Sequence, residues 1–262
     1  MSYEHIIFDV SNNIGVITLN RPDDANAIHQ PMVDELADIA VRCYRDKDIR
    51  AVVLTGAGKM FCGGGDLKTF HGLGGDAANY VDRTATVLHH AISRFSRMDA
   101  PVVMAVNGTA AGGGFSLALA GDYVIAADSA KFISAYTASG LTPDGSSTYY
   151  LAKHIGLLRA KELILTNRLL SAEEACAWGL VNKVVPADGL MDEAMELART
   201  FAAGPTRAYG IAKNLLTTAY SETLESQLDA ESRGIAVTMG SRDGRHGIES
   251  FLNKKKPEFT GE

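Results

Sequence analysis

Two glycine clusters, each placed directly after a short and wholly apolar run, constrain this chain more than any other feature. The first, Gly56-Ala-Gly-Lys-Met-Phe-Cys-Gly-Gly-Gly-Asp66-Leu67, follows Ala51-Val-Val-Leu54; the second, Asn107-Gly-Thr-Ala-Ala-Gly-Gly-Gly-Phe-Ser116, follows Pro101-Val-Val-Met-Ala-Val106. A short apolar run bounded by turn residues reads as a buried strand. Glycine lets the backbone approach a ligand closely, at an entropic cost that a plain turn has little reason to incur three times in a row. Lys59 is not followed by Ser or Thr, so the first cluster is not a phosphate-cradling loop. The second runs into Phe115-Ser-Leu-Ala-Leu-Ala120, which reads as a helix start with free, partly positive amides. One such loop is ordinarily a flexible surface loop. Two, each leaving a buried strand, are what a pair of backbone N–H groups converging on one substrate oxygen requires.

The rest of the chain supplies a frame for such loops. His5–Val10 and Ile14–Asn20 alternate as strands around a Ser11-Asn12-Asn13 turn, which predicts a hairpin, and the apolar spacing of Met32, Leu36, Ile39 and Ala40 predicts a helix from about Ala27 to Tyr44. A second helix is expected from about Ala77 to Met98, and Gly121-Asp-Tyr-Val-Ile-Ala-Ala127 reads as a further strand. Strands joined through helices imply an α/β core. From Ser171 the texture changes: Ser171-Ala-Glu-Glu174 has the form of a capping box, and four helical segments are expected to run to about Leu252, interrupted only by a strand signal at Val181-Asn-Lys-Val-Val185. A core over residues 1–200 and a helical oligomerisation region over 201–262 follow as the expected division.

Composition narrows the function classes. With 262 residues, 46% hydrophobic and 21% charged, the chain lies in the globular range, and its net charge of −6 argues against a nucleic-acid binder. Cys43, Cys62 and Cys176 have neither CxxC spacing nor paired histidines, so no metal site is expected and the thiols are read as reduced. The N-terminal segment has acidic residues where a secretory signal would be basic, and no apolar run is long enough to span a bilayer; a cytoplasmic protein with no membrane partner is expected.

Four further features carry candidate chemistry. Gly114-Phe-Ser116-Leu-Ala118 falls short of a nucleophile elbow, since its last Gly is Ala and an eight-residue loop precedes Ser116. Asp144, between Pro143 and Gly145, would in isolation be a turn residue or helix cap. His89 and His90 sit within a helix-period stretch, where a partly buried polar contact is the ordinary meaning. Lys254-Lys-Lys256 is ordinarily a solvated basic face and also suits a nucleotide phosphate.

Taken in order, Phe61-Cys-Gly-Gly-Gly-Asp66-Leu67, Ala105-Val-Asn-Gly108 with Gly112-Gly-Gly114, and Ala175-Cys-Ala-Trp-Gly-Leu-Val181 resemble the crotonase (enoyl-CoA hydratase/isomerase) superfamily from about Ile6 to Phe259. The resemblance implies a core of ββα spiral turns, a C-terminal helical trimerisation region, and homotrimers commonly paired as hexamers. It places the two oxyanion amides on Gly65 and Gly113 and a coenzyme A thioester along Ala25, Ala27, Gly63, Asp66 and Leu67, with Lys254 toward the nucleotide. Coenzyme A enters as part of an acyl-CoA substrate; no separate cofactor is implied.

The acids depart from the hydratase pattern. Ser116 and Tyr136 occupy the positions of the two hydratase glutamates, while Asp144 stands where isomerase-like members carry an acidic base. The same Asp position is a nucleophile in 4-chlorobenzoyl-CoA dehalogenase, whose pattern has a His matching His89 and a Trp matching Tyr136. That enzyme's aromatic wall at Gly65 and Asp66 is missing here. The expected activity is therefore an enoyl-CoA double-bond shift with Asp144 as base, with Tyr136 and His89 as further site residues. Aryl-CoA chemistry such as hydrolytic dehalogenation, a hydratase in name only, and a non-catalytic CoA- or RNA-binding protein are the alternatives.

Overall fold

A computed structural model describes residues 3–262. The chain opens on an antiparallel hairpin of β1 (Ile6–Ser11) and β2 (Ile14–Leu19). Its two-residue turn, Asn12-Asn13, has φ of 51° and 63°. One of the two turn forms of this length that match the strand twist has both residues left-handed, and asparagine tolerates that conformation. Next comes α1 (Gln30–Arg45), which buries Met32, Val33, Leu36, Ile39, Ala40 and Cys43 along one face. It begins three residues later than its apolar spacing suggests, because Ile28 is held in a bridge with Gly65.

Three turns of one form follow. β3 (Ala51–Gly56) and β4 (Met60–Cys62) lead through α2 (Leu67–Gly72) to α3 (Ala77–Arg97); β5 (Val102–Val106) and β6 (Thr109–Ala111) lead to α4 (Gly113–Leu119); β7 (Tyr123–Ala127) and β8 (Lys131–Ile133) lead to α5 (Ser147–Thr166). In each turn the first strand joins a large sheet and the second a small one. The chain continues through β9 (Leu170–Ser171), α6 (Ala172–Trp178), β10 (Lys183–Val185), α7 (Leu190–Ala202), α8 (Thr206–Thr218), α9 (Leu224–Met239) and α10 (Arg242–Leu252). The large sheet has the order β1-β2-β3-β5-β7-β10, parallel beyond the first pair, and the small one β4-β6-β8-β9. This is the α/β spiral of ββα turns that the sequence led us to expect.

Every residue of β3 and β5 is buried, as parallel strands covered on both faces should be. Ala194, Ala198 and Ala202 of α7 are buried where that helix packs on β3 and β5, and α1 packs on α3. Ser171 caps α6 in a complete capping box with Glu174. Cys43 and Cys62 are buried free thiols whose pKa burial pushes up to about 12, which keeps them protonated and inert.

One expectation needs correction, and two features were missed. The C-terminal region holds five helices after Ser171, not four, since Gly240 and Ser241 separate α9 from α10 and the Ser241 hydroxyl caps the latter by accepting from Gly244 N–H. The long helix α5 was not legible, because Leu157, Leu158 and Leu165 are exposed and the backbone leaves helical geometry at Gly156 (φ 75°, ψ 163°). The small sheet was not foreseen either, its strands being two or three residues long and set within the glycine loops. No described helix is long and apolar enough to cross a membrane.

Candidate active site

The first glycine loop is built against the segment after β2. Gly63 N–H donates to the Ala25 carbonyl at 2.8 Å, Ile28 N–H to the Gly64 carbonyl at 2.7 Å, and Asp66 N–H to the Ile28 carbonyl at 2.9 Å. Ala25 and Asn26 are both left-handed, at φ 55° and 52°, a strained arrangement for residues with side chains. The fully buried Asn26 offsets it: its Oδ1 accepts from Arg21 N–H at 2.8 Å, and its Nδ2 donates to the Ala57 and Met60 carbonyls, each at 2.9 Å. Arg21 completes the clamp through Nη1 to the Ala27 carbonyl at 2.5 Å and Nη2 to Asp66 Oδ2 at 3.1 Å. Asp66 caps α2 by accepting from Thr69 N–H at 3.0 Å. Burial alone would raise its carboxyl pKa, but the Thr69 amide and the Arg21 guanidinium outweigh burial and hold it below the usual range.

This clamp leaves specific amides unused. The bridge between Ile28 and Gly65 employs the Gly64 carbonyl and the Asp66 N–H, so the Gly65 N–H is passed over. Gly113 opens α4, where first-turn amides have no intrahelical partner. Among the described residues neither amide has a hydrogen-bond acceptor. The two loops touch: at Gly64, whose φ of 91° suits glycine, a Cβ would lie 2.8 Å from the Ala111 carbonyl oxygen and 3.3 Å from Gly113 N. Side chains here would push the loops apart.

The carboxylate stands nearby. A Cβ placed on Gly113 would lie 3.8 Å from Tyr136 Oη, and that hydroxyl donates to Asp144 Oδ1 at 2.6 Å. Burial, then the adjacent Asp144 charge, pushes the Tyr136 phenol far above its ordinary pKa, so it remains a donor. Ser116 is fully buried on α4, with Oγ 2.8 Å from Tyr136 Oη, 2.9 Å from the Asp144 carbonyl oxygen and 3.3 Å from the Gly112 carbonyl oxygen. No base reaches it, which disposes of the nucleophile elbow. His89 Nε2 accepts from Gly145 N–H at 3.0 Å and lies 3.7 Å from Asp144 Oδ2, beyond hydrogen-bond range. His89 Nε2 thus meets the Gly145 amide closely and the Asp144 carboxylate only at longer range.

Gly65, Gly113, Tyr136, Asp144 and His89 are thus brought together, with Ala25, Ala27, Gly63, Asp66 and Leu67 along one approach to them. Leu67 is half exposed, at 52%. Lys254 lies beyond α10, and among the described residues no hydrogen bond or ion pair joins it to either loop. Phe70 covers Gly65, where a Cβ would meet its ring at 2.8 Å, and Phe115 is buried against Phe132. Sequence reasoning passed over Arg21 and Asn26; an Arg-Pro turn with an Asn just before the strand-pairing Ile28 is the signal that marks them. A cleft of about 300 Å³ among the C-terminal helices and one of about 620 Å³ between the end of α1 and those helices include none of these residues. Among the described residues no cluster of His, Cys, Asp and Glu is arranged to hold a metal ion.

Two amides without acceptors among the described residues, one of them beside the Tyr136 hydroxyl that donates to Asp144, occur here on a chain whose residues 9–262 match the family model for enoyl-CoA hydratase/isomerase. The chain belongs to the enoyl-CoA hydratase/isomerase family. It is 40% identical to the 1,2-epoxyphenylacetyl-CoA isomerase of Escherichia coli, over 98% of this chain and 99% of that one. It is 33% identical to 4-chlorobenzoyl coenzyme A dehalogenase-2 of Arthrobacter sp, over 97% and 92% respectively. The crystal structure of an enoyl-CoA hydratase from Polaromonas sp. superposes with a TM-score of 0.93 at 33% identity, covering 97% of this chain and 99% of that one. As a crotonase-fold member of this family, the chain is an acyl-CoA enzyme.

Proposed function

We propose that this enoyl-CoA hydratase/isomerase family member shifts a double bond in an acyl-CoA thioester, with Asp144 as its single carboxylate base. The observation that carries the reading is the company Asp144 keeps: among the described residues the side chains in hydrogen-bond or ion-pair contact with its carboxylate are a phenol and an imidazole, and the two hydratase glutamate positions hold Ser116 and Tyr136. The Gly65 and Gly113 amides would hold the thioester carbonyl oxygen, where enolate charge develops as a neighbouring C–H proton leaves. Asp144 Oδ2, which accepts no hydrogen bond, would take that proton and return it two carbons along the chain. Water addition needs a second acid–base group, and Ser116 and Tyr136 do not supply one. In this reading the pantetheine arm follows Ala25, Ala27, Gly63, Asp66 and Leu67, and Lys254 meets the nucleotide of a coenzyme A seated in an assembled oligomer.

A hydrolytic reading, with Asp144 as nucleophile and His89 activating water, is favoured by the 3.7 Å approach of the two side chains. Against it, His89 Nε2 is already occupied by the Gly145 amide. The deciding experiment compares wild type with Asp144→Asn on 3-enoyl-CoA and aryl-halide CoA thioesters. Loss of about 10²-fold or more in kcat on the 3-enoyl substrate, with CoA still raising Tm, supports the base. Retention of more than about a tenth of wild-type turnover would overturn it.

Assembly belongs to the same proposal. The helices of residues 201–262 leave Leu216, Tyr220, Leu224, Leu228, Ile235, Phe251 and Leu252 exposed, and α9 buries none of its residues in the single chain. Faces this apolar are covered by other copies in closed oligomers, so a trimer or a dimer of trimers is proposed.

A further inference from the structure

The groups around Asp144 are joined to α4, the helix that also carries Gly113. Ser116 lies three residues after Gly113, on the same side of that helix. Its Oγ reaches the Asp144 backbone carbonyl at 2.9 Å and the Tyr136 hydroxyl at 2.8 Å, while Tyr136 donates to Asp144 Oδ1 at 2.6 Å. The turn is seated directly on the serine: a Cβ at Gly145, whose φ is 58°, would fall 2.8 Å from Ser116 Cβ. Tyr136 itself is aimed by an unusual backbone, since Ala135 has φ 59° and the Tyr136 N–H donates to the Ser134 carbonyl two residues back, at 2.8 Å. Ser146 is left-handed as well, at φ 71°. Backbone strain of this kind persists only where surrounding contacts over-determine it.

Counting protons fixes the direction of the chain. The single phenol proton goes to the carboxylate, the strongest acceptor present, and 2.6 Å is the length of a charge-assisted hydrogen bond. The single Ser116 proton goes to Tyr136 Oη at 2.8 Å, to the Asp144 carbonyl oxygen at 2.9 Å or to the more distant Gly112 carbonyl oxygen at 3.3 Å, and either of the two shorter contacts ties Asp144 to α4. Oδ1 accepts the Tyr136 proton, and among the described residues Oδ2 has no hydrogen-bond donor.

Resting on the assignment of Asp144 as the base, we propose that Ser116 and Tyr136 are positioning residues. Their two hydroxyls lock the Asp144 carboxylate to the helix bearing the Gly113 amide, so that base and oxyanion donor are held as one body with Oδ2 toward the substrate. Neither hydroxyl touches the reacting atoms.

The test measures kcat and KM against pH on a 3-enoyl-CoA thioester for Tyr136→Phe, Ser116→Ala and the double variant, with CoA-induced Tm shifts to confirm folding. Tyr136→Phe is expected to lower kcat about 10-fold or more and Ser116→Ala about 2- to 10-fold, the sizes for losing a charged and a neutral hydrogen bond. KM should hold nearly constant. The acidic limb of the kcat profile should move to higher pH in Tyr136→Phe, because a donor to the ionised carboxylate is gone. The double variant should lose less than the product of the single losses. A folded Tyr136→Phe enzyme within twofold of wild type with an unmoved acidic limb, or losses that multiply, would overturn the proposal. Should Tyr136→Phe fail to fold, Ser116→Ala decides: an unchanged kcat contradicts the relay. If Asp144→Asn is inactive while these variants behave as wild type, only the relay fails; an active Asp144→Asn removes the base assignment beneath it.

Discussion

The roles of single residues here follow from which polar groups their neighbours leave unused. In the proposed reaction Gly65 and Gly113 would act through amides that the Ile28 bridge and the start of α4 pass over, and Asp144 through the Oδ2 that Tyr136 does not engage. Gly113 also permits a clean experiment. It is the first residue of α4, where proline is tolerated because that N–H has no helical partner, and the Cβ it introduces would meet only the end of the Ile28 side chain at 2.9 Å. Gly113→Pro should therefore fold while losing roughly 10²- to 10³-fold in kcat, as expected for one missing oxyanion donor. A folded variant with near-wild-type turnover would exclude this amide. Much of this level was readable beforehand, since glycine triplets after apolar runs mark where backbone must meet a ligand. The partners of Asp144 were legible only as positions: that Ser116 grips the 144–145 turn depends on a contact across 28 residues of chain, which no local pattern encodes.

At the scale of elements, long one-sided helices and all-apolar strands declared themselves, whereas short strands and the irregular α5 did not. The reason is physical: α1 and α3 bury one face each and so carry a period, while α5 exposes leucines on its outer side and is broken at Gly156. Arg21 and Asn26 were missed because their effect is to hold loops rather than to form an element. The start of α1 yields a pH prediction. His29, at its N-cap, has a buried Nδ1 with no partner and packs edge-on to His5 at 4.5 Å. Burial, then the Arg21 charge and His5, lowers its pKa below 6.5. The unfolded chain therefore takes up a proton near pH 6.5 that the folded chain refuses, and stability falls as pH drops through that value toward the folded pKa. Relative to wild type, the Tm of His29→Gln should rise as pH is lowered from about 7.5 to 5.5. A gap between the two that does not change with pH would contradict this.

For the whole molecule, the family and the spiral α/β architecture were legible because the ordered glycine and alanine motifs run along nearly the full chain. Assembly rests on the apolar surface of the last helices, above all Leu224, Leu228 and Ile235 on α9. Light scattering should give a mass three or six times that of one chain across a range of concentrations, and a monomer at every concentration would rule out that use of the surface. The overall reaction is tested most directly by its product. A panel of 3-enoyl, 2-enoyl and aryl-halide CoA thioesters, incubated with the enzyme and followed by mass spectrometry, separates the possible chemistries. The single-carboxylate account predicts that a 3-enoyl thioester becomes its 2-enoyl isomer with no change of mass in ordinary water, separated from the substrate by retention time, and that in deuterium oxide deuterium enters only as far as the Asp144 carboxyl exchanges its proton before returning it. A product heavier by one water, or loss of halide from the aryl thioester with no isomerisation of the 3-enoyl one, would contradict it.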